Sequence, residues 1–273
     1  MCVVGEVNVE ESRAVGRMKE LFPTGTESYG LPLDDPCLTR YLRARRWDVE
    51  KAAKMLRTTL DWRQDFGVEK LLGEEISTVV APENCTGKIY VRGYDTQGRP
   101  IMIMRPRCEN TMDHTGNIKH LVYQMERVRM ILQAAGGEGK MCLIVDYSGF
   151  SVRNSPPMKT SMETLRILQN HYPETLGVAF MLTPPFIFRG FWNAIYPFID
   201  PVTKLKFVFV RGDLNLPTAQ EVLAKNFNLN MLEESLGGRN KVPFDSSKYL
   251  ASPMHVEFDE VIDTSISTVD NGA

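Results

Sequence analysis

The chain has 273 residues, 43% of them hydrophobic, and a formal net charge of -2, enough for a substantial core in one large domain or two small ones. Its 32 basic side chains are matched by 34 acidic ones, which argues against nonspecific nucleic-acid binding, since a phosphate-tracking surface shows a basic excess. Cys2, Cys37, Cys85, Cys108 and Cys142 are scattered, odd in number and without a C-x-x-C pair, so we expect reduced thiols in the cytoplasm and neither a disulfide framework nor zinc.

Residues 1–33 read as a polar leader with a short helix from Glu10 to Phe22, ended by Pro23-Thr24-Gly25 and expected to dock loosely. Met1 to Glu6 lacks the basic region and apolar core of a secretory signal, and no later stretch reaches the roughly 20 apolar residues of a membrane span. Position 2 is not Gly and the chain ends Asn271-Gly272-Ala273, so neither myristoylation nor prenylation is expected, and any membrane contact should be peripheral and reversible. Residues 34–80 read as a helical domain. Leu38, Tyr41 and Leu42, then Ala52, Ala53, Leu56 and Leu60, repeat at helical spacing, with Asp48 as the N-cap of the second helix and Glu50 in its first turn.

Residues 81–247 change to an α/β pattern. Lys88 to Tyr94 and Arg99 to Met104 read as strands joined by the turn Asp95-Thr96-Gln97-Gly98. An amphipathic helix carries Ile118, Leu121, Val122, Met125, Val128 and Leu132; then come a strand from Met141 to Val145, a helix from Met158 to Asn170, and strands from Gly177 to Leu182 and Lys206 to Val210. Apolar strands alternating with helices predict a mixed, mostly parallel sheet flanked by helices. Residues 248–273 carry Glu257, Asp259, Glu260, Asp263 and Asp270 and read as an acidic, solvated, disordered tail.

Between the last two strands, Pro185 to Pro197 holds five aromatic residues, Phe186, Phe188, Phe191, Trp192 and Tyr196, and a single charge, Arg189. It is too short to cross a bilayer. The residues alone leave two readings open: a core helix hydrophobic all round, or a lid whose Trp and Tyr favour a membrane interface.

Catalytic motifs are not met. Gly136 to Lys140 suggests a phosphate loop, but Ala134 and Met141 replace the required Gly and Ser/Thr, and the loop precedes a strand. Ser148 lacks a nucleophile elbow. Asp146, at the carboxyl end of a buried strand, is placed either to act as a base or metal ligand or to fix a turn before Gly149. His114, His120, His171 and His255 lack metal-binding spacing; His171 reads as a helix cap or an enzyme residue. Arg40, Arg43, Arg45 and Arg46, with Lys204 and Lys206, are solvated faces or, together, a phosphate site.

Five ordered blocks, Arg43-Ala44-Arg45-Arg46-Trp47-Asp48, Gly98-Arg99-Pro100-Ile101, Asp146-Tyr147-Ser148-Gly149, His171-Tyr172-Pro173-Glu174 and Pro197-Phe198-Ile199-Asp200-Pro201-Val202-Thr203, resemble the signature of the CRAL-TRIO lipid-transfer family from about Asp34 to Phe244. The resemblance implies a small helical N-terminal domain on an α/β lipid-binding domain, no enzyme activity and no cofactor, with the aromatic segment as a gate helix. It implies a phosphatidylinositol headgroup site at Arg45, Arg46, Glu174, Thr203 and Lys206. The positions implied for phosphatidylcholine are Val91, Met102, Met125, Ser151 and Arg153, a poor match that puts that lipid in doubt and leaves a second ligand open. Met102, Met104, Met125 and Met181, with Ser151, line an apolar pocket on this reading, or serve as ordinary core filler. The expected protein is a cytoplasmic monomer, transiently peripheral to membranes, that carries phosphatidylinositol; the alternative is a carrier or sensor of a tocopherol-, retinal- or sterol-like molecule.

Overall fold

The computed structural model describes residues 9–151, 157–256 and 258. The chain opens with α1 (Val9–Leu21), α2 (Asp35–Ala44) and α3 (Val49–Phe66). Asp34 caps α2 by accepting from the Cys37 amide, and Asp48 caps α3 by accepting from the Lys51 amide at 3.1 Å, as the sequence predicts. Gly67 ends α3 at φ 73, a left-handed conformation that costs a glycine little. The three helices close one core around Met18, Leu38, Leu42, Ala52, Ala53 and Leu56. The loose docking expected of the first helix is therefore corrected. Met18 and Phe22, on one face of α1 and just beyond its end, are buried in the same core as α2 and α3.

After α4 (Val68–Leu71) and α5 (Ala81–Asn84), the chain forms a five-stranded sheet in the order β1 (Ile89–Tyr94), β2 (Pro100–Met104), β3 (Met141–Asp146), β4 (Leu176–Leu182) and β5 (Phe207–Val210). The β1/β2 hairpin is antiparallel and the other three pairings are parallel. Asp95 builds the hairpin turn, its carboxylate accepting from the Gln97 and Arg99 amides, and Gly98 supplies φ 72. Helices α6 (His114–Ala134), α7 (Met158–His171), α8 (Phe188–Ile195) and α9 (Pro201–Lys204) fall between the parallel strands, where β-α-β connections require them. The mixed, mostly parallel sheet expected from the sequence is what forms.

Paired residues share a sheet face, so the register separates the two sides. One side carries Ile101, Ile103, Cys142, Ile144, Phe180, Leu182 and Val210, all buried; α10 (Pro217–Asn226) and the segment after it pack here, with Phe227 at 4.9 Å from the Phe180 ring. The opposite side carries Met102, Met104, Leu143, Val145, Ala179, Met181, Phe207 and Phe209. Leu143 lies in the middle strand and is only half-buried, unlike Cys142 and Ile144 beside it. Its neighbours on that face, Met141 and Val145 in the same strand, are buried, so Leu143 is the one residue of β3 that keeps some exposure.

The tail expectation is corrected over its first part. Residues Ser246–Ala251 form α11, Tyr249 and Phe258 are fully buried in the main core, and the Tyr249 hydroxyl donates to Gln124 Oε1 at 2.5 Å and accepts from the Val91 amide at 3.0 Å. Two aromatic rings supply more burial than the surrounding acidic residues oppose. Residues 259–273, like Arg153, lie outside the described residues.

Candidate functional site

The aromatic segment folds back over the side of the sheet that carries Leu143, Val145, Met181, Phe207 and Phe209. Phe188 is buried in a cluster with Val145, Tyr147 and Met181, its ring 4.6 Å from that of Tyr147. One turn further on, Trp192 meets Phe207 at 4.8 Å and Phe209 at 5.3 Å. The spacing of four residues puts both rings on the inner face of α8. Phe186 projects outward at 83% exposure and Tyr196 at 43%. Phe191 belongs to the same helix. One face of the segment is core and the other is exposed, so it is not the helix buried all round that one reading expected.

Of the five residues expected to line a pocket, Met104 and Met181 border the cluster beneath α8. Met102 and Met125 are buried in the main core, the filler role weighed for them. Ser151 is half-buried in the chain that leaves the sheet after Gly149.

The polar residues gather at the other end of the strands. Glu174 sits at φ 55 in the turn before β4, and its carboxylate accepts from Lys140 Nζ at 3.0 Å. Lys206 donates to the Leu176 carbonyl at 2.9 Å; burial pushes its ammonium below the ordinary value, Glu174 opposes that shift and Lys140 adds to it. Thr203 is half-buried at the end of α9, its carbonyl accepting from the Lys206 amide at 3.0 Å. The structure therefore brings together Glu174, Lys206 and Thr203 of the expected headgroup set.

It does not place Arg45 and Arg46 with them. Arg45 donates to the Ala44 carbonyl at 2.9 Å, and Arg46 is exposed at φ 52 in the turn between α2 and α3. The basic α2 residues beside Glu174 are Arg40 and Arg43, which line a shallow cleft with Pro36 and Thr39 of the same helix and with Glu138, Lys140 and Glu174. Arg40 is spent on carbonyls, donating to Gly137 at 2.7 Å, Gly139 at 2.5 Å and Glu174 at 3.1 Å. Lys140, in a loop that the sequence presents only as a failed phosphate motif, joins Glu174 here. Its signal was a lone charge at a strand's entrance, which many turns carry.

The two residues weighed as enzyme groups are held by their surroundings. Asp146 is buried; one carboxylate oxygen accepts from the Ser148 amide at 2.9 Å and hydroxyl at 2.5 Å, and the other pairs with Arg107. It fixes the turn that presents Tyr147 to Phe188. His171 stacks on Trp62 at 4.1 Å with its Nδ1 3.2 Å from the Thr59 hydroxyl, and burial, then the Arg63 charge, lowers its pKa to about 4.

Helices α1, α2 and α3, followed by a mixed sheet one face of which is covered by an aromatic helix, define a helical unit joined to an α/β unit. The chain belongs to the CRAL/TRIO domain family: that domain matches residues 84–238, and the CRAL/TRIO N-terminal domain matches residues 14–58. Among its relatives is the CRAL-TRIO domain-containing protein C23B6.04c of Schizosaccharomyces pombe, 35% identical over 213 residues, 78% of this chain and 20% of that protein. The phosphatidylinositol transfer protein PDR17 of Saccharomyces cerevisiae is 33% identical over 203 residues, 68% of this chain and 57% of that protein. The SEC14 cytosolic factor of Kluyveromyces lactis is 29% identical over 256 residues, 87% of this chain and 81% of that protein. The chain thus spans a fifth to somewhat over half of the first two. The crystal structure of Sfh5 has the same fold, with a TM-score of 0.70 at 16% identity, covering 97% of this chain and 100% of that one. No helix among the described residues is long and apolar enough to cross a membrane.

Proposed function

We propose that this protein is a non-enzymatic phospholipid carrier that takes phosphatidylinositol from one membrane and delivers or presents it at another. The observation that carries the reading is the half-buried Leu143 in the central strand, on the sheet face covered by the aromatic helix α8. That arrangement supports an acyl-chain cavity with α8 as its gate. The names of PDR17 and its relatives in the family supply the lipid class. Each methylene moved from water into such a cavity is worth about 0.8 kcal/mol, so a lipid crosses water far more readily inside the protein than alone.

Headgroup recognition is assigned to Glu174, Thr203 and Lys206, joined by Lys140, with Arg45 and Arg46 approaching from the α2–α3 turn. Ammonium and guanidinium groups attract the phosphodiester, and Glu174 and Thr203 can hydrogen-bond inositol hydroxyls, which choline does not offer. The protein then meets the membrane transiently and works as a monomer in the cytoplasm. The test is lipidomics of the purified protein followed by transfer between two liposome populations. Lys206→Ala should lower phosphatidylinositol transfer about tenfold or more with folding intact, the scale of one charge-assisted contact. Arg46→Ala reports whether the turn closes on the headgroup. Unchanged transfer in both variants overturns the headgroup assignment, and a bound prenyl lipid without phosphate overturns the ligand class.

A further inference from the structure

The segment after α8 presents apolar side chains that no cavity uses. Phe198 is 59% exposed, Val202 60% and Leu205 87%, all within eight residues. This turn is held firmly. Ile199 is buried beside Phe198, Gln169 of α7 donates to the Phe198 carbonyl at 2.9 Å, and Asp200 accepts from the Val202 and Thr203 amides at 2.8 and 3.3 Å. Lys206 closes the turn onto the Leu176 carbonyl. Three apolar side chains are thus displayed on a rigid mount, which a merely loose loop would not provide.

Cations accompany the exposed rings. Lys204 Nζ lies 4.3 Å from the centre of the Tyr196 ring, and Arg189 lies 5.2 Å from that of Phe186. These two cation–aromatic pairs stand at opposite ends of α8, about 12 Å apart at 1.5 Å per residue. The acid at this surface, Asp200, is spent as the cap of α9. Aromatic rings that carry a cation match the headgroup level of a bilayer, where the ring sits at the apolar boundary and the cation meets phosphate.

We infer that the turn 198–205 is a fixed membrane foot: Phe198, Val202 and Leu205 enter the interface of a bilayer bearing anionic phospholipid, beside a gate helix that moves. This deepens the carrier reading, on which it rests, by naming the surface that meets the membrane and the charge of the lipid it prefers. A stationary foot lets α8 open without releasing the protein from the bilayer.

The experiment uses the full chain and vesicles of phosphatidylcholine with and without phosphatidylserine. Wild type should bind the anionic vesicles more tightly, and the double variant V202S/L205S should bind them about tenfold more weakly while native mass spectrometry shows the same bound lipid. Unchanged vesicle affinity in the double variant overturns the foot. Equal wild-type binding to both vesicle types overturns its anionic preference. Wild type that carries no lipid but still binds vesicles through these residues supports the foot and overturns the carrier reading instead. A second measurement is independent of the double variant's folding: an environment-sensitive dye on Leu205→Cys, in a background with Cys2, Cys85 and Cys108 replaced by Ser, should shift to the blue on anionic vesicles, and no shift overturns the foot.

Discussion

His171 shows how a residue in a functional-looking motif serves architecture. It is half-buried against Trp62 and titrates at about 4 in the folded chain, against an ordinary value of 6.5. The unfolded chain therefore binds this proton first, and the neutral ring's contribution is complete above pH 6.5 and declines as the pH falls toward 4. Discounted for partial exposure, the loss between pH 7 and pH 5 is roughly 1 kcal/mol. His171→Phe keeps the stack on Trp62 and should flatten that part of the pH dependence, read as the denaturant midpoint at the two pH values. Single residues were legible in the sequence where their work is local. Asp48 caps the helix that begins beside it, and Asp146 fixes a turn two residues away. Arg40 was legible only as a charge, because its acceptors lie 97 to 134 residues on.

Element by element, strands and helices announced themselves through their periods, and the aromatic segment through composition. The first helix and the region around α11 were undervalued for one reason: each anchors itself by a few apolar side chains among many polar ones, Met18 of α1 with Phe22 just beyond it, and Tyr249 of α11 with Phe258 further on. Such anchors have no period to detect. Helix α8 carries a further prediction. Gly190 is exposed within α8, and a Cβ added there meets no atom within 4 Å. Gly190→Ala should therefore strengthen the helix by about 0.5–1 kcal/mol without a clash. If opening of α8 bends or frays at this glycine, lipid transfer slows severalfold while the global unfolding midpoint hardly moves; an unchanged transfer rate places the hinge elsewhere.

Across the whole molecule, the helical unit and the sheet unit are joined by buried charge. Arg63 of α3 donates both guanidinium nitrogens to Glu126 of α6, at 2.6 and 3.1 Å, and its Nε to the Tyr29 carbonyl at 3.0 Å. Glu126 also accepts from Tyr172 at 2.8 Å and from Arg129 at 2.8 Å. Burial pushes the Glu126 carboxyl up, but Arg63 and Arg129 outweigh it and hold the group below its ordinary range. Without Arg63 the buried Glu126 carboxylate keeps only Arg129 and Tyr172 as partners, so Arg63→Ala should cost about 2–3 kcal/mol in chemical denaturation, below the cost of a fully stranded charge, and make the two units melt separately. A retained single transition would assign the coupling to the apolar contacts of α3 with α7. None of this was visible in the sequence, where Arg63 looked like one more charge on a helix.

Leu143 has a consequence beyond the site. It keeps some exposure although it packs against both core clusters, and any molecule that covers it adds to its burial. If the proposed lipid is what covers it, mass action makes the melting temperature of this protein rise with lipid concentration and so report occupancy. A larger side chain that fills that place with protein atoms would raise the melting point without lipid and make it indifferent to added lipid.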